Sequence, residues 1–156
     1  MKITLLVVGK TTDARLDSLI DEYSARIKHY IPFSIQIIPE LKNTKALSEP
    51  QQKSAEGELI LKAVTANAMM VLLDEHGKQH RSIEFASWIQ KKMSSGRDLT
   101  FVVGGPYGFS EAVYRRADEK ISLSDMTFSH QMIRLLFTEQ IYRAMTILKN
   151  EPYHHE

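Results

Sequence analysis

Hydrophobic and polar residues follow two alternating patterns along this chain. Short apolar runs, rich in β-branched residues and closed by glycine, proline or polar residues, are typical of buried strands. They predict strands over Ile3–Val8, Phe33–Ile38, Ala68–Leu73, Leu99–Val103 and Lys120–Leu123. Segments of helical periodicity lie between these runs. Strands that alternate with helices indicate an α/β fold with a mainly parallel sheet and helices on both faces.

The helical segments have apolar residues three or four positions apart. The first begins after Thr12 or Asp13, either of which can act as its N-cap. The others are predicted over Gln51–Ala66, from Ser82 as cap to the turn at Gly96, over Ser110–Ala117, and along a final stripe from Ile133 to Leu148. In the second helix, Ala55, Leu59 and Ala63 are expected to face the core, with Ile60 and Val64 as further candidates.

The last predicted helix is apolar around much of its circumference. One stripe comprises Ile133, Leu136, Phe137, Ile141, Ala144, Met145 and Leu148, and a second comprises Met132, Leu135, Tyr142 and Ile147. Because one sheet face cannot cover so much apolar surface, the helix is interpreted as part of a subunit interface. Ile141→Asp is then expected to yield monomers. A central helix enclosed within one domain is the alternative.

Length and composition restrict the class of protein. The chain of 156 residues is interpreted as a single domain, 1–156, without an appended RNA-binding domain. Its 20 basic and 19 acidic side chains leave a net charge of +1, which by itself counts against a nucleic-acid partner. No apolar run approaches the roughly 20 residues of a membrane span, and the N-terminus lacks a signal peptide's cleavage site. The expected location is therefore the cytoplasm, with no membrane partner.

The chain contains no cysteine. This excludes disulfides, thiolate zinc sites, iron–sulfur clusters and cysteine nucleophiles. The six histidines include no helix-spaced pair and no HExxH pattern. No metal is therefore expected.

A glycine-rich segment follows the fourth predicted strand. Its sequence, Gly104-Gly105-Pro106-Tyr107-Gly108, lets backbone amides approach a ligand without an intervening Cβ. It differs from both GxGxxG and GxxxxGKS/T, and its proline removes one donor, so it is more typical of a pocket wall than of a phosphate cradle. A tight turn that needs a positive φ is the alternative.

A second segment stands where the third predicted strand ends. It begins with Leu73-Asp74-Glu75, and Leu73 is expected to form a pocket wall beside the glycine-rich segment. The two carboxylates are suited to an acid–base couple. The favoured interpretation is that they are solvated turn residues, because adjacent residues need not point at one atom.

A third segment precedes the last helix and mixes small hydroxyl residues with bulky apolar ones. It runs from Leu123 to His130 and includes Met126 and Phe128. It offers backbone donors and acceptors beside an apolar surface, which suits an adenine ring. A plain connector in which Ser129 caps the helix is the alternative.

His130 and Arg134 are four residues apart at the start of the last predicted helix. This spacing places two side chains on one helical face. Near the N-terminus of the helix, such a pair is suited to hold a phosphate or an ionised base. The two residues are therefore candidates for contact with a substrate.

Together these segments form a known pattern. It consists of Gly104-Gly105-Pro106-x-Gly108, Ser122-Leu123-Ser124 to Thr127, His130, Arg134, Glu139-Gln140-x-Tyr142-Arg143-Ala144 and the closing Pro152-Tyr153-His154. The chain resembles the ribosomal RNA large subunit methyltransferase H family along essentially its whole length. Members of that family use S-adenosylmethionine to methylate N3 of a pseudouridine in 23S rRNA.

The resemblance implies a fold and partners that periodicity cannot show. The family belongs to the SPOUT class, so a C-terminal trefoil knot and a homodimer are expected, with 23S rRNA in the assembled ribosome as the substrate. A SPOUT enzyme with another RNA target and a non-catalytic nucleotide-binding or ribosome-binding module are the alternatives. The missing cysteine agrees with methylation at nitrogen or at a ribose oxygen, because methylation at pyrimidine C5 commonly needs a cysteine nucleophile.

The resemblance also assigns site residues. The cofactor pocket is expected to comprise Leu73, Gly104, Gly105, Leu123, Ser124, Asp125, Met126, Thr127 and Phe128. The catalytic candidates, which match family positions on the substrate side, are His130, Arg134, Tyr153 and His154.

The group that accepts the proton from N3 stays open at this point. His154 in the C-terminal tail is one candidate, because histidine titrates near neutrality. Asp125 and water are the others. Many family members have Arg or Lys before the final Glu and His after the last Asn, where this chain has His155 and Glu151. This difference weakens any expectation that the tail clamps rRNA phosphate.

Overall fold

The computed structural model describes all 156 residues. Its strands are β1 (Ile3–Val8), β2 (Phe33–Ile38), β3 (Met69–Gln79), β4 (Leu99–Val103) and β5 (Glu119–Ser122). Its α-helices are α1 (Ala14–Ile27), α2 (Glu49–Ala63), α3 (Ser82–Ser94), α4 (Glu111–Arg116) and α5 (Met132–Leu148), and a 3-10 helix spans Thr44–Ala46. The strands form one sheet in the order β2-β1-β4-β3-β5, with every pair parallel. The predicted α/β fold is confirmed, and the trefoil knot stays a prediction.

Helices cover both faces of the sheet. On one face α1, α3 and α5 pack over a core that includes Leu5 and Phe101, and on the other α2 and α4 pack over Leu6 and Val102. Successive strand residues enter opposite cores, as the pleat of a strand requires. None of the helices combines the length and the apolar composition that a membrane crossing needs.

The helix starts follow the predicted signals only in part. Asp13, one of the two predicted caps of α1, accepts hydrogen bonds from backbone N–H groups of the first turn. The second helix begins earlier than predicted because Ser48 caps it. The prediction of Ser82 as the cap of α3 is wrong: Arg81 is the N-cap, and its backbone N–H donates to Glu84 over 2.9 Å.

The buried face of α2 also differs from the prediction. The residues expected in the core, Ala55, Leu59 and Ala63, are only half-buried. The two further candidates, Ile60 in the helix and Val64 at its C-cap, are buried as predicted, and Glu56 and Gly57 are buried as well. A Cβ on Gly57 would lie 2.5 Å from the Oγ of Ser110, the cap of α4, so the close approach of these two helices requires glycine.

The third strand continues past its predicted end. Leu73 and Lys78 both pair with Ile121 of β5, so residues 74–77 leave the regular register. The prediction that the strand ends at Leu73 is therefore wrong, although regular pairing stops there. Gly77 permits the irregular path, because a Cβ there would lie 2.6 Å from the backbone of Ile121.

The last helix is a central helix within one subunit. Phe137, Ile141, Ala144 and Met145 are at most 3% exposed. Both α1 and α3 pack against α5, in addition to the sheet. The predicted subunit interface is therefore wrong for this stripe, because the neighbouring helices cover the surface that one sheet face could not.

Ile141→Asp is consequently expected to unfold the protein rather than to yield folded monomers. Ile141 is fully buried, and an unpaired carboxylate in its place costs about 4 kcal/mol or more. Urea unfolding followed by circular dichroism measures the effect. Met132→Asp, at the exposed first residue of the same helix, is the matched control and is expected to change the free energy of unfolding by less than about 0.5 kcal/mol. A folded Ile141→Asp monomer would restore the interface interpretation.

Candidate active site

The three predicted strand-end segments meet at one cavity of about 650 Å³. It lies where β3, β4 and β5 end, since parallel strands place their carboxyl ends at the same edge of a sheet. The predicted site residues that line it are Leu73, Gly104, Gly105, Leu123, Ser124, Met126, Thr127, Phe128 and His130. The predicted residues outside its lining are Asp125, Arg134, Tyr153 and His154.

The glycine-rich segment is both a tight turn and a wall of this cavity. The N–H of Gly108 donates to the carbonyl oxygen of Gly105 over 3.1 Å, and Gly108 has a φ of +81°. A side chain at that φ would be strained. The two interpretations of this segment are therefore compatible, since the turn needs its glycine and the turn residues line the cavity.

A side chain at Gly104 or Gly105 would crowd its neighbours. A Cβ on Gly104 would lie 3.1 Å from the ring of Phe109. A Cβ on Gly105 would lie 2.9 Å from Oε2 and 3.0 Å from Cδ of Glu56, and closer still to Oε1. Glycine at both positions therefore lets the loop pack closely against Phe109 and Glu56.

Serine side chains order the segment before α5. The Oγ of Ser124 accepts a hydrogen bond from the N–H of Met126 over 2.9 Å. The Oγ of Ser129 accepts one from the N–H of Met132 over 3.0 Å. Ser129 thus satisfies a free N–H at the start of α5, as the connector interpretation predicts, while the same segment lines the cavity.

The bulky residues of this segment are exposed beside the cavity. Met126 is 77% exposed and Phe128 is 38% exposed. Asp125, directly before Met126 in sequence, does not line the cavity. Its Oδ1 accepts a hydrogen bond from Nε2 of Gln79 over 2.5 Å. The adenine-binding role of the segment stays a prediction, and the apolar side chains that it needs are in place.

Asp74 and Glu75 line the cavity but have separate partners. Asp74 accepts hydrogen bonds from the hydroxyl of Tyr114 and from the backbone N–H of His76. Glu75 faces the imidazole of His76 at 3.4 Å and is largely exposed. Burial and the hydrogen bond to Asp74 raise the pKa of Tyr114. This geometry does not support an acid–base couple, and no group of three potential metal-ligating side chains occurs in the structure.

Arg134 is buried, with 1% of its surface exposed. Its guanidinium donates hydrogen bonds of 2.7 to 3.2 Å to the carbonyl oxygens of Val8, Gly9 and His130 and to the hydroxyl of Thr11. Burial lowers the pKa of the guanidinium. The side chain ties the end of β1 to α5, which does not favour the expected contact with a substrate phosphate; that contact stays a prediction.

The C-terminal tail lies against α5. The hydroxyl of Tyr153 donates to Oε1 of Glu139 over 2.8 Å, and burial raises its pKa. Arg143 donates to the same carboxylate over 2.6 Å and lies 3.0 Å from Nδ1 of His154. Because a guanidinium can only donate, Nδ1 of His154 accepts, and a neutral imidazole then carries its proton on Nε2. The docked His154 thus has no free lone pair with which to accept a proton.

A second cavity, of about 270 Å³, adjoins the first. The two share Ile121, Ser122, Leu123 and Phe128 in their linings. Glu139, which holds Tyr153 and Arg143, lines the second cavity. The tail is therefore anchored beside the second cavity rather than the first.

Sequence reasoning missed two residues of α2 near the site. Lys53 lines the larger cavity. Glu56, almost one turn further along, is 4% exposed and lies behind Gly105. A signal was present, because Glu56 precedes the buried Ile60 by four residues and so shares its helical face.

Comparison with known proteins defines the class. The profile of a family described as "Predicted SPOUT methyltransferase" matches residues 1–154. The fold also matches the crystal structure of a "Probable Methyltransferase from Bordetella pertussis Tohama I", with a TM-score of 0.54 over 92% of this chain and 93% of that one. At 11% identity the structural match shows a shared fold alone. The fold and the family profile together are those of a SPOUT methyltransferase.

Closer relatives define the family. Proteins named "Ribosomal RNA large subunit methyltransferase H" from Phocaeicola vulgatus and Parabacteroides distasonis are 61% and 62% identical, over 100% of each chain. One of the same name from Christiangramia forsetii is 63% identical over 99% of each chain. The chain belongs to the ribosomal RNA large subunit methyltransferase H family, which confirms the resemblance.

Proposed function

We propose that this protein transfers a methyl group from S-adenosylmethionine to N3 of a pseudouridine in 23S rRNA, presented by the assembled ribosome. One observation carries the proposal: three separate strand-end segments converge on one cavity, in a chain that matches named rRNA methyltransferases over its full length. A ribosomal substrate places the enzyme in the cytoplasm.

The cavity fits S-adenosylmethionine in size and lining. Its volume of about 650 Å³ lies in the range of roughly 300–1,000 Å³ that is typical of small-molecule sites. Leu73, Met126 and Phe128 supply apolar surface suited to the adenine ring. Gly104 and Gly105 have no side chain, so a ligand can approach the backbone of the loop directly. We therefore assign these residues, with Leu123, Ser124 and Thr127, to the cofactor.

The chemistry divides between the cofactor and the chain. When bound, S-adenosylmethionine supplies a methyl group on a positively charged sulfur, which is already activated for transfer. The chain has to align N3 with that methyl group and to help N3 lose its proton.

We propose that His130 accepts the proton that N3 loses. This imidazole lines the cavity, and a neutral imidazole nitrogen can accept a proton. His154 would first have to leave Arg143. Asp125 is bonded to Gln79 outside the lining.

We further propose a homodimer that covers the apolar residues beside the cavity. Met126 and Phe128 line the cavity and are 77% and 38% exposed. Apolar surface grouped at one face is typical of an interaction site. Sedimentation equilibrium is expected to give twice the chain mass of 17.9 kDa, and a species of 17.9 kDa would contradict the dimer.

Binding of S-adenosylhomocysteine tests the cofactor assignment. This product keeps the adenosine and amino-acid parts of the cofactor but has no methyl group to transfer, so calorimetry measures binding without turnover. One site per chain is expected. Folded protein that gives no heat of binding would contradict the assignment and favour a non-catalytic module.

A further inference from the structure

Glu56 is a buried carboxylic acid that the proposed chemistry does not use. It is 4% exposed, and its Oε1 is buried without a hydrogen-bond partner. Its Oε2 accepts one long hydrogen bond, from Nε2 of Gln52 over 3.3 Å. Burial of a polar atom without a partner costs free energy, so such an atom in a folded protein needs an explanation.

The carboxyl group lies directly behind the glycine-rich loop. A Cβ on Gly105 would overlap Oε1 of Glu56 and lie 2.9 Å from Oε2, so the carboxyl group packs against the Gly105 backbone. The next residue, Gly57, packs in the same way against Ser110, which follows the loop and caps α4. This face of α2 therefore contacts both ends of the loop.

No salt bridge neutralises Glu56. The charges that act on it are the carboxylate of Glu40, which follows β2, and the imidazole of His130, which precedes α5. Glu40 also acts on the buried guanidinium of Arg134. The remaining cation nearby in sequence, Lys53, lies on the same helix and lines the cavity.

These surroundings make Glu56 harder to ionise than a carboxyl group in water. Burial raises the pKa of Glu56, and the carboxylate of Glu40 acts in the same direction. The hydrogen bond from Gln52 and the imidazole of His130 oppose the rise in that pKa without cancelling it. A neutral carboxyl group can pack against a backbone in a buried place, whereas an ionised one is drawn toward water.

We propose that Glu56 is a positioning residue for the cofactor site: from behind the loop, its carboxyl group sets the position of the Gly105 backbone. The inference rests on the proposed function, because the loop that it positions is the one assigned to S-adenosylmethionine. It also predicts that ionisation of Glu56 weakens the packing of the loop.

Gly105→Ala and Glu56→Ala, alone and combined, test the contact. Gly105→Ala is expected to weaken binding of S-adenosylhomocysteine by about tenfold or more, because its Cβ overlaps Glu56. In the Glu56→Ala background the overlap is gone, so the same substitution is expected to change the affinity by less than about threefold. Glu58→Ala, at an exposed residue of the same helix, is the matched control in which the full loss is expected to persist.

The pH dependence of binding distinguishes positioning from a merely structural role. The affinity of the wild type for S-adenosylhomocysteine is expected to fall as the pH rises through the raised pKa of Glu56, because ionisation displaces the carboxyl group. Glu56→Gln keeps the shape of the neutral acid and does not titrate. This variant is expected to bind as tightly as the wild type at low pH and to retain its affinity at high pH.

The outcomes separate this inference from the proposed function. Two results would overturn the inference alone, provided that the wild type binds S-adenosylhomocysteine. One is an equal loss of affinity from Gly105→Ala in the wild-type and Glu56→Ala backgrounds. The other is a pair of parallel pH profiles for the wild type and Glu56→Gln. A folded wild type that binds no S-adenosylhomocysteine would refute the proposed function and the cofactor part of the inference. In that case the urea unfolding midpoints of the wild type, the two single variants and the double variant still decide whether Glu56 and Gly105 are energetically coupled.

Discussion

Gly105→Arg is expected to lower the affinity for S-adenosylhomocysteine by about a hundredfold or more while the protein stays folded. The first atom of the new side chain would overlap the buried carboxyl group of Glu56, so the loop or this carboxyl group has to move, and the rest of the arginine has to find room beside them. The loop is a wall of the cavity, and its displacement changes the shape of the site. Titration calorimetry measures the loss, and circular dichroism verifies the fold.

Gly96→Arg is the matched control for this prediction. Gly96 also lies in a turn, and a Cβ built on it would meet no atom within 4 Å. The φ of +73° makes any side chain there somewhat strained, but the turn is at the end of α3 and does not line the cavity. Wild-type affinity is expected for Gly96→Arg. Equal affinities for Gly105→Arg and the wild type would remove the glycine-rich loop from the cofactor site.

Arg134→Met is expected to lower the free energy of unfolding by about 3 kcal/mol or more, because each buried acceptor that loses its partner costs about 1–3 kcal/mol. The guanidinium supplies buried hydrogen bonds to the carbonyl oxygens of Val8 and Gly9. Methionine keeps much of the apolar stem of the arginine but donates no hydrogen bond. Urea unfolding followed by circular dichroism gives the difference.

Arg81→Met is the control for the stability of Arg134→Met. The side chain of Arg81 is 73% exposed and pairs with Glu156 on the surface, where an ion pair contributes little. The unfolding midpoint of Arg81→Met is expected to match that of the wild type. An Arg134→Met protein with an unchanged midpoint but no rRNA methylation would instead support the substrate role that the helical spacing suggested.

The strands could be predicted because their signal is local. The predicted and observed bounds of β1, β2 and β4 agree. β1 and β4 are buried along their whole length and therefore form nearly continuous apolar runs that glycine closes. β2 is a partly exposed edge strand, and its β-branched residues and the following proline mark it instead. The convergence of the site segments was also predictable, because parallel strands bring their carboxyl ends to one edge. The irregular end of β3 was not, since it depends on the pairing with Ile121 of β5.

The orientation of individual side chains could not be predicted. Helical spacing groups His130 with Arg134, but it does not reveal that the guanidinium donates hydrogen bonds to the carbonyl oxygens at the end of β1. Likewise, the apolar stripe around Ile141 has the same pattern whether a second subunit or two neighbouring helices cover it. Both depend on contacts between segments far apart in sequence.

Net charge was a poor guide to the partner. A value of +1 sums over every face of the molecule, whereas binding to rRNA needs only one basic surface. Arg134 does not contribute to such a surface, because it is buried. Arg115, whose side chain is 73% exposed and lies 3.8 Å from Glu111, is at the surface.

Transfer of a labelled methyl group tests the proposed function most directly. Wild-type protein is incubated with S-adenosylmethionine labelled in its methyl group and with ribosomes that lack the modification, and the rRNA is then separated and digested. The proposed function predicts label in 23S rRNA at N3 of a pseudouridine, and none with Gly105→Arg. Unlabelled 23S rRNA, with folded protein that binds S-adenosylhomocysteine, would contradict it.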